Sequence, residues 1–416
     1  KLLLLCNLLP STILLPARVM ELTASLVLPK MCRLKGQGKA ATLLSFAGSC
    51  VSPLINSTYR YSFALEGLKI FAPSSYTSVA VQYAYQASYQ PGWMKRVDVQ
   101  LDAPVPPGGS GKNGGVSVWV RQTTDFTMED CVFDSALPVR CFDTVFGVRL
   151  SRCTINWRDS SLAFYGMTTH VIVDSCTFNI RGNPTSNRWV EFSNPNPGIW
   201  FSAFKDGTGN IGGQYIKNML LSNCNHTRDD HSWAMPSYVG YTSDGTTSIY
   251  TGPVDASGTM LTLPSATLTN SSSGPAVYDW AGCRASILEG TGAGQHRTVI
   301  AGATPGQTLL TIDRPWDVMP DSNSVLDIGC QIGNTLLIAN DWSEARLIQH
   351  YYNGVNNTVA GGNVGSSDGQ SFSCAACSGS HYLGYFPDAQ IQYLSINNQY
   401  GKVQYRNITR TFAQQS

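Results

Sequence analysis

The chain has 416 residues, 43% of them hydrophobic and only 13% charged against a usual fraction of ~25%, with a formal net charge of +1. That length supports a large core, and the balanced charge supplies no long-range field for nucleic acid, an anionic membrane or an acidic polymer. Polarity comes instead from Ser, Thr, Asn, Gln and 39 Gly, while 12 Cys suit an oxidising compartment and a secreted, extracellular or cell-surface protein.

The Leu-rich opening is broken by Asn7 and Pro10 and is too short to span a bilayer; it reads as a cap over an open end of the core. Within this cap, residues 1–30, strands are predicted at 12–15 and 22–28. The run Cys32-Arg-Leu-Lys-Gly-Gln-Gly38 is a strand ending in a glycine turn.

One pattern then recurs four times. Phe126-x-Met128-x-x-Cys131-x-Phe133 is followed by Val148-x-Leu150-x-x-Cys153-x-Ile155, Val171-x-Val173-x-x-Cys176-x-Phe178 and Met219-x-Leu221-x-x-Cys224-x-His226. Alternation, a two-residue break and resumed alternation describe two strands meeting at a bend. Repetition at this period without helical stretches predicts a parallel β-solenoid, with Cys131, Cys153, Cys176 and Cys224 stacked as a core ladder. Ladder neighbours come within disulfide reach. Residues 31–237 are the first part of the solenoid, with excursions at 88–93, 103–115 and 182–198 whose Pro/Gly/Ser/Asn content marks exposed loops.

From 238 to 329 the period is lost, and strand-like runs at 258–263, 285–289, 297–301 and 308–313 predict a small β-rich insertion. Gly290, Gly292 and Gly294 have dinucleotide-like spacing, but no helix follows them, so a strand–turn–strand is expected. The period returns in 330–416, with strands predicted at 335–342, 346–352 and 357–362 and a C-terminal cap. About 12 rungs are expected in all, an all-β rod ~55–60 Å long.

The segment TILLPARVMELTASLVLPKMCRLKGQGKAATLLSF resembles the opening of right-handed parallel β-helix proteins of the pectate-lyase-like superfamily. Three further strings, ILEGTGAGQHRTVIAGATPGQTLLTIDRPWDVMPDSNSVLDIG, EARLIQHYYNGVNNTVAGGN and FPDAQIQYLSINNQYG, are similar to an insertion and closing rungs of bacterial secreted members. The resemblance implies a right-handed parallel β-helix with a β insertion, and a uronan-cutting activity as one option.

Candidate chemistry is sparse. Asp229, Asp230 and His231 form the densest polar cluster; paired carboxylates serve glycoside hydrolysis, and an adjacent Asp-Asp resembles part of the site of galacturonan hydrolases. The companion Asn-x-Asp, Gly-His-Gly and Arg-x-Lys elements are absent in that order, and neighbouring strand residues face opposite ways. Lyase chemistry would take its groups from Glu344, Arg346 and His350 and would be the one case calling for Ca²⁺; no other cofactor or metal is expected. Aromatic side chains stack on sugars and anchor interfaces. Those singled out are Tyr83, Tyr85 and Trp93 on one excursion, Trp189 and Trp200 around another, and Tyr351, Tyr352 and Tyr385 near the end.

Cys374-x-x-Cys377 lies between loop-like serines and is read as a local disulfide or free thiols. Sequons at Asn56, Asn225, Asn270, Asn356 and Asn407 permit glycosylation. No zinc spacing, P-loop, nucleophile elbow or basic-aromatic nucleic-acid pattern is present. Two readings remain: a rigid extracellular rod that binds a glycan, a partner or copies of itself in a surface or filamentous assembly, and a secreted hydrolase or lyase of a uronan-type glycan.

Overall fold

A computed structural model describes residues 11–29, 31–57, 63–84, 92–102, 115–158, 160–165, 168–181, 188–193, 215–228, 241–243, 248–263, 284–293, 295–301, 309–329, 331–342, 347–352, 354–355, 358–360, 363–364, 371–377, 381–383, 390–398, 401–405 and 408–409. Every regular element among them is a β-strand. They form a right-handed parallel β-helix and a separate antiparallel insertion sheet.

Three parallel stacks advance together. Among the described residues the third stack contains eleven strands: Leu26–Leu28, Ile55–Ser57, Val79–Ala84, the start of Val116–Glu129, the start of Leu137–Ser151, Ser160–Tyr165, Arg188–Ser193, Tyr241–Ser243, Leu347–Tyr352, Ser371–Cys377 and Gln390–Asn398. The first stack runs from Thr12–Leu14 and Arg33–Lys35 to Thr358–Ala360 and His381–Leu383, and the second from Val19–Leu22 to Asn363–Val364. At the far end the parallel progression stops where Gly401–Tyr405 and Ile408–Thr409 pair antiparallel to Gln390–Asn398, covering an otherwise open edge.

The break inside the repeated pattern is the corner between first and second stacks. One residue turns the chain by adopting a left-handed conformation: Gly67, Arg96, Asp130, Arg152, Ser175, Asn223 and Ala339, with φ between 51° and 60°. Small polar side chains tolerate this region better than branched ones. The next residue then points inward, so Leu68, Val97, Cys131, Cys153, Cys176, Cys224 and Asn340 occupy equivalent buried positions.

The ladder cysteines are free and 1% exposed. Their thiols donate to nearby carbonyls, Cys131 to Glu129 at 3.3 Å, Cys176 to Asp174 at 3.4 Å and Cys224 to Ser222 at 3.3 Å. Elsewhere in the core Tyr83 lies between Phe63 and Phe126, with ring centroids 4.0 and 4.2 Å apart.

Some boundaries differ from expectation. The run predicted as one strand at 22–28 divides into Val19–Leu22 and Leu26–Leu28, because the second-to-third corner falls at Thr23–Ser25. The upstream flank of Cys374, expected as loop, is part of the strand Ser371–Cys377; residues 378–380 and the pairing of the two sulfurs lie outside what is described.

The insertion orders its strands as Ser248–Pro253, Val325–Gly329, Arg284–Glu289, His296–Ala301, Leu309–Ile312, Met260–Thr262 and Asp255–Ser257. Its own core includes Leu261, Ile287, Val299, Ile312, Trp316 and Leu326. Gly290 and Gly292, with φ of 79° and 80°, make the turn between adjacent strands. Buried Gln295 accepts from the N–H groups of Asp317 and Val318 and donates to the carbonyls of Gly292 and Val318, while Arg297 lies 4.9 Å over the Trp316 ring. The solenoid then resumes in register, Met219 beside Thr335 and Leu221 beside Leu337.

Candidate glycan-binding face

The corners differ in length. The first-to-second corner is a single residue in most turns, whereas segments 103–114, 182–187 and 229–240 join the second stack to the third. Segments 85–91 and 194–214, and the insertion, join the third stack back to the first. Length variation therefore falls on the two edges of the third-stack face. Connections of variable length at the edges of a rigid scaffold are the usual place for binding residues.

Alternation decides which residues line that face. Val81 and Tyr83, Val118 and Val120, and Val139 and Cys141 are fully buried in the core. The positions between them point out: Gln82, Trp119 and Arg140 share one register column on successive turns, and Arg121 lies beside Ala84 and Phe142. Trp119 and Arg121 are half-buried. Arg140 is 3% exposed and donates to the Val139 carbonyl at 3.0 Å. The same column continues by register through Ala163, Glu191, Thr242, His350 and Ser373. It thus carries an amide, an indole, a carboxylate position and an imidazole position along one line, a composition suited to sugar rings and their hydroxyls, while the Arg140 guanidinium is buried in the wall of the rod.

Beside it, the second stack presents a polar ladder. Arg158 donates to Asp134 at 2.6 Å, Asn156 to Asp134 at 3.4 Å, Asn179 to Asn156 at 3.4 Å and Thr227 to Asn179 at 3.2 Å. These groups satisfy one another and stiffen the rod.

Of the residues expected to act, Tyr83 is corrected outright: strand parity turns its ring inward, fully buried between Phe63 and Phe126, and no sugar reaches it. Trp93 is half-buried on the first stack, with the Arg33 guanidinium 5.2 Å from its ring centroid. Trp189, Tyr351 and Tyr352 lie in third-stack strands. Asp229, Asp230, His231, Tyr85, Trp200, Tyr385, Glu344 and Arg346 lie outside the described residues, as do Asn270, Asn356 and Asn407. Asn225 is exposed at the start of strand Asn225–Arg228, immediately before Asp229; Asn56 is half-buried in Ile55–Ser57. Among the described residues, no group of His, Cys, Asp and Glu has metal-binding geometry.

Sequence reasoning missed Trp119 and Glu191. It sought aromatics in the excursions, whereas these residues sit mid-strand. The signal was present in Val118-Trp119-Val120, where two inward valines force the indole outward.

No family model matches the chain, and no curated protein matches it. Solved structures are similar to it at low identity. The Dettilon tailspike protein is 7% identical with a TM-score of 0.41, over 92% of this chain and 65% of that one. A tailspike protein from Acinetobacter baumannii bacteriophage Fri1, a capsular polysaccharide depolymerase, is 10% identical with a TM-score of 0.34, over 90% and 56%. The catalytic domain of a GH87 alpha-1,3-glucanase is 8% identical with a TM-score of 0.32, over 91% and 62%. The chain thus spans less than two thirds of the length of each.

Proposed function

We propose that the protein is an extracellular glycan-binding β-helix whose third-stack face holds an extended polysaccharide along the rod axis. The observation that carries this reading is the outward column of Gln82 and Trp119, continued in register by Glu191 and His350, between the two edges at which the long connections between described strands leave the solenoid. A regular polymer fits a regular column, since equivalent side chains recur every ~4.8 Å. Trp119 supplies the stacking surface and the polar groups fix the chain's register.

A screen of neutral and acidic polysaccharides against the purified chain tests this. Binding that falls at least tenfold in Trp119→Ala, with melting unchanged, supports it; binding indifferent to Trp119 overturns it.

A hydrolytic version draws support from Glu191 on this column and from the adjacent carboxylates Asp229 and Asp230, which follow the strand Asn225–Arg228 in sequence. Two carboxyls ~5–9.5 Å apart on a cleft are the requirement for glycoside hydrolysis. Reducing-end release that is lost in Asp229→Asn, Asp230→Asn or Glu191→Gln would establish it.

A further inference from the structure

Near-neutral total charge conceals a local excess. Glu66 sits on the first stack with its side chain only 5% exposed, and one buried carboxylate calls for one counter-charge. It has three: Arg33, Arg96 at 2.5 Å and Lys35 at 4.0 Å. Burial pushes the Glu66 carboxyl up, and these three cations outweigh that and hold it below its ordinary 4.5. The cations themselves remain 37 to 54% exposed.

The same corner adds Lys39, 3.0 Å from Asp98, Lys69, beside Asp98 in register, and Lys95, 3.0 Å from Glu129. With Arg152, which binds Glu129 and Asp130 at the far edge of this corner, seven cations thus face four carboxylates, and the surplus of three lies chiefly within the second to fourth turns.

We infer that this corner is a second binding surface, for a polyanionic glycan carrying carboxylate or sulfate groups. It uses different residues from the third-stack face and does not depend on that face binding sugar. The alternative polyanion, single-stranded nucleic acid, needs open aromatic faces on which bases stack. Trp93 is the aromatic residue here among those described, and its ring is already covered by Arg33. An extended glycan needs only a line of cations at fixed spacing, which the rungs provide at multiples of ~4.8 Å.

The test measures binding of the full chain to heparin, to polygalacturonate and to a random-sequence oligonucleotide of matched charge, at low and at physiological salt. Retention of either polysaccharide that weakens with salt is expected. In Lys39→Gln/Lys69→Gln, with Lys39 exposed, Lys69 half-buried and melting checked to be unchanged, affinity should drop roughly tenfold and the salt slope by about one per lysine. Trp119→Ala should leave heparin retention intact while losing any third-stack ligand, which separates this surface from that one. No polysaccharide bound by the unmodified chain, binding unaffected by the lysine pair, heparin lost in Trp119→Ala, or equal affinity for the oligonucleotide would each overturn the inference.

Discussion

Asn340 stands where a fifth ladder cysteine would be, and its side chain completes the backbone of Cys224. Its Oδ1 accepts from the Cys224 N–H at 2.9 Å and its Nδ2 donates to the Leu221 carbonyl at 3.1 Å, all 1% exposed or less. One amide thus closes the polar accounting of the turn on which the solenoid resumes after the insertion.

Asn340→Ala leaves that N–H and carbonyl buried without partners, at about 1–3 kcal/mol each. The denaturant midpoint should fall markedly. Asn340→Cys should recover part of the loss, since a ladder thiol can accept a backbone N–H, as Cys176 does from Cys153 at 3.4 Å. Equal midpoints for Asn340→Ala and the unmodified chain would refute this role.

Gly92 packs where no methyl group fits. A Cβ there would lie 3.0 Å from the Tyr83 ring and 3.1 Å from the Phe126 ring, both inside the aromatic stack. Gly92→Ala is expected to destabilise by about 1–3 kcal/mol through overpacking. Thermal melting reads this directly, and Tyr83→Leu in the same background should relieve part of it by removing the ring.

Stability should decline on the acid side. The carboxyls of Glu66, Glu129, Asp130 and Asp174 are all held below their ordinary values: Glu66 by its three cations against burial, Glu129 by Lys95 and Arg152, Asp130 by Arg152, and Asp174 by the Ser222 hydroxyl. A lowered folded-state value contributes stability above the unfolded value, lost as pH falls through the folded one. Melting temperature should therefore be level at neutral pH and drop below about pH 4.5, the ordinary glutamate value. Glu66→Gln should be less stable at neutral pH, and its melting temperature should fall less steeply in acid.

The core thiols should be inert in the native state. Burial pushes the Cys131 thiol up and Cys141 to about 12, and hydrogen bonds with Cys153 and Cys224, with burial, push Cys176 up; hydrogen bonds from Cys131 and Cys176 pull Cys153 down, so there it is burial at 1% exposure that denies access to reagent. Peptide mapping after iodoacetamide treatment should find Cys131, Cys141, Cys153, Cys176 and Cys224 unmodified in buffer and modified in denaturant. Native labelling of any ladder cysteine would contradict the burial described.

Much of the fold is legible in the sequence because one corner residue and one inward residue repeat at fixed spacing. Asp130-Cys131, Arg152-Cys153, Ser175-Cys176 and Asn223-Cys224 each carry the whole turn geometry in two letters. The insertion's Gln295 and Arg297 likewise announce a packed turn, since both side chains bind the segment around Pro315–Val318. The binding face was harder to read. Which residues share a column depends on register across turns of unequal length, so Trp119 and Arg140 are neighbours only once the pairing is known. Tyr83 misled for a related reason: aromatic density in an excursion says nothing about strand parity. The charge excess around Glu66 was hidden because Arg33, Lys35, Lys69 and Arg96 are scattered in sequence and cancel in the total.

The insertion also imposes an order of events on synthesis. Cys224 and Asn340 are 116 residues apart, and Met219 waits for Thr335 across the same gap. At a ribosomal rate of ~5–20 residues per second, the eighth turn emerges roughly 6–20 s before the ninth can cover it. During that interval a finished half-rod presents a bare, strand-ready end to whatever surrounds it. A compact antiparallel module that builds its own core, from Leu261 to Leu326, keeps the intervening chain occupied with itself while the end stays open.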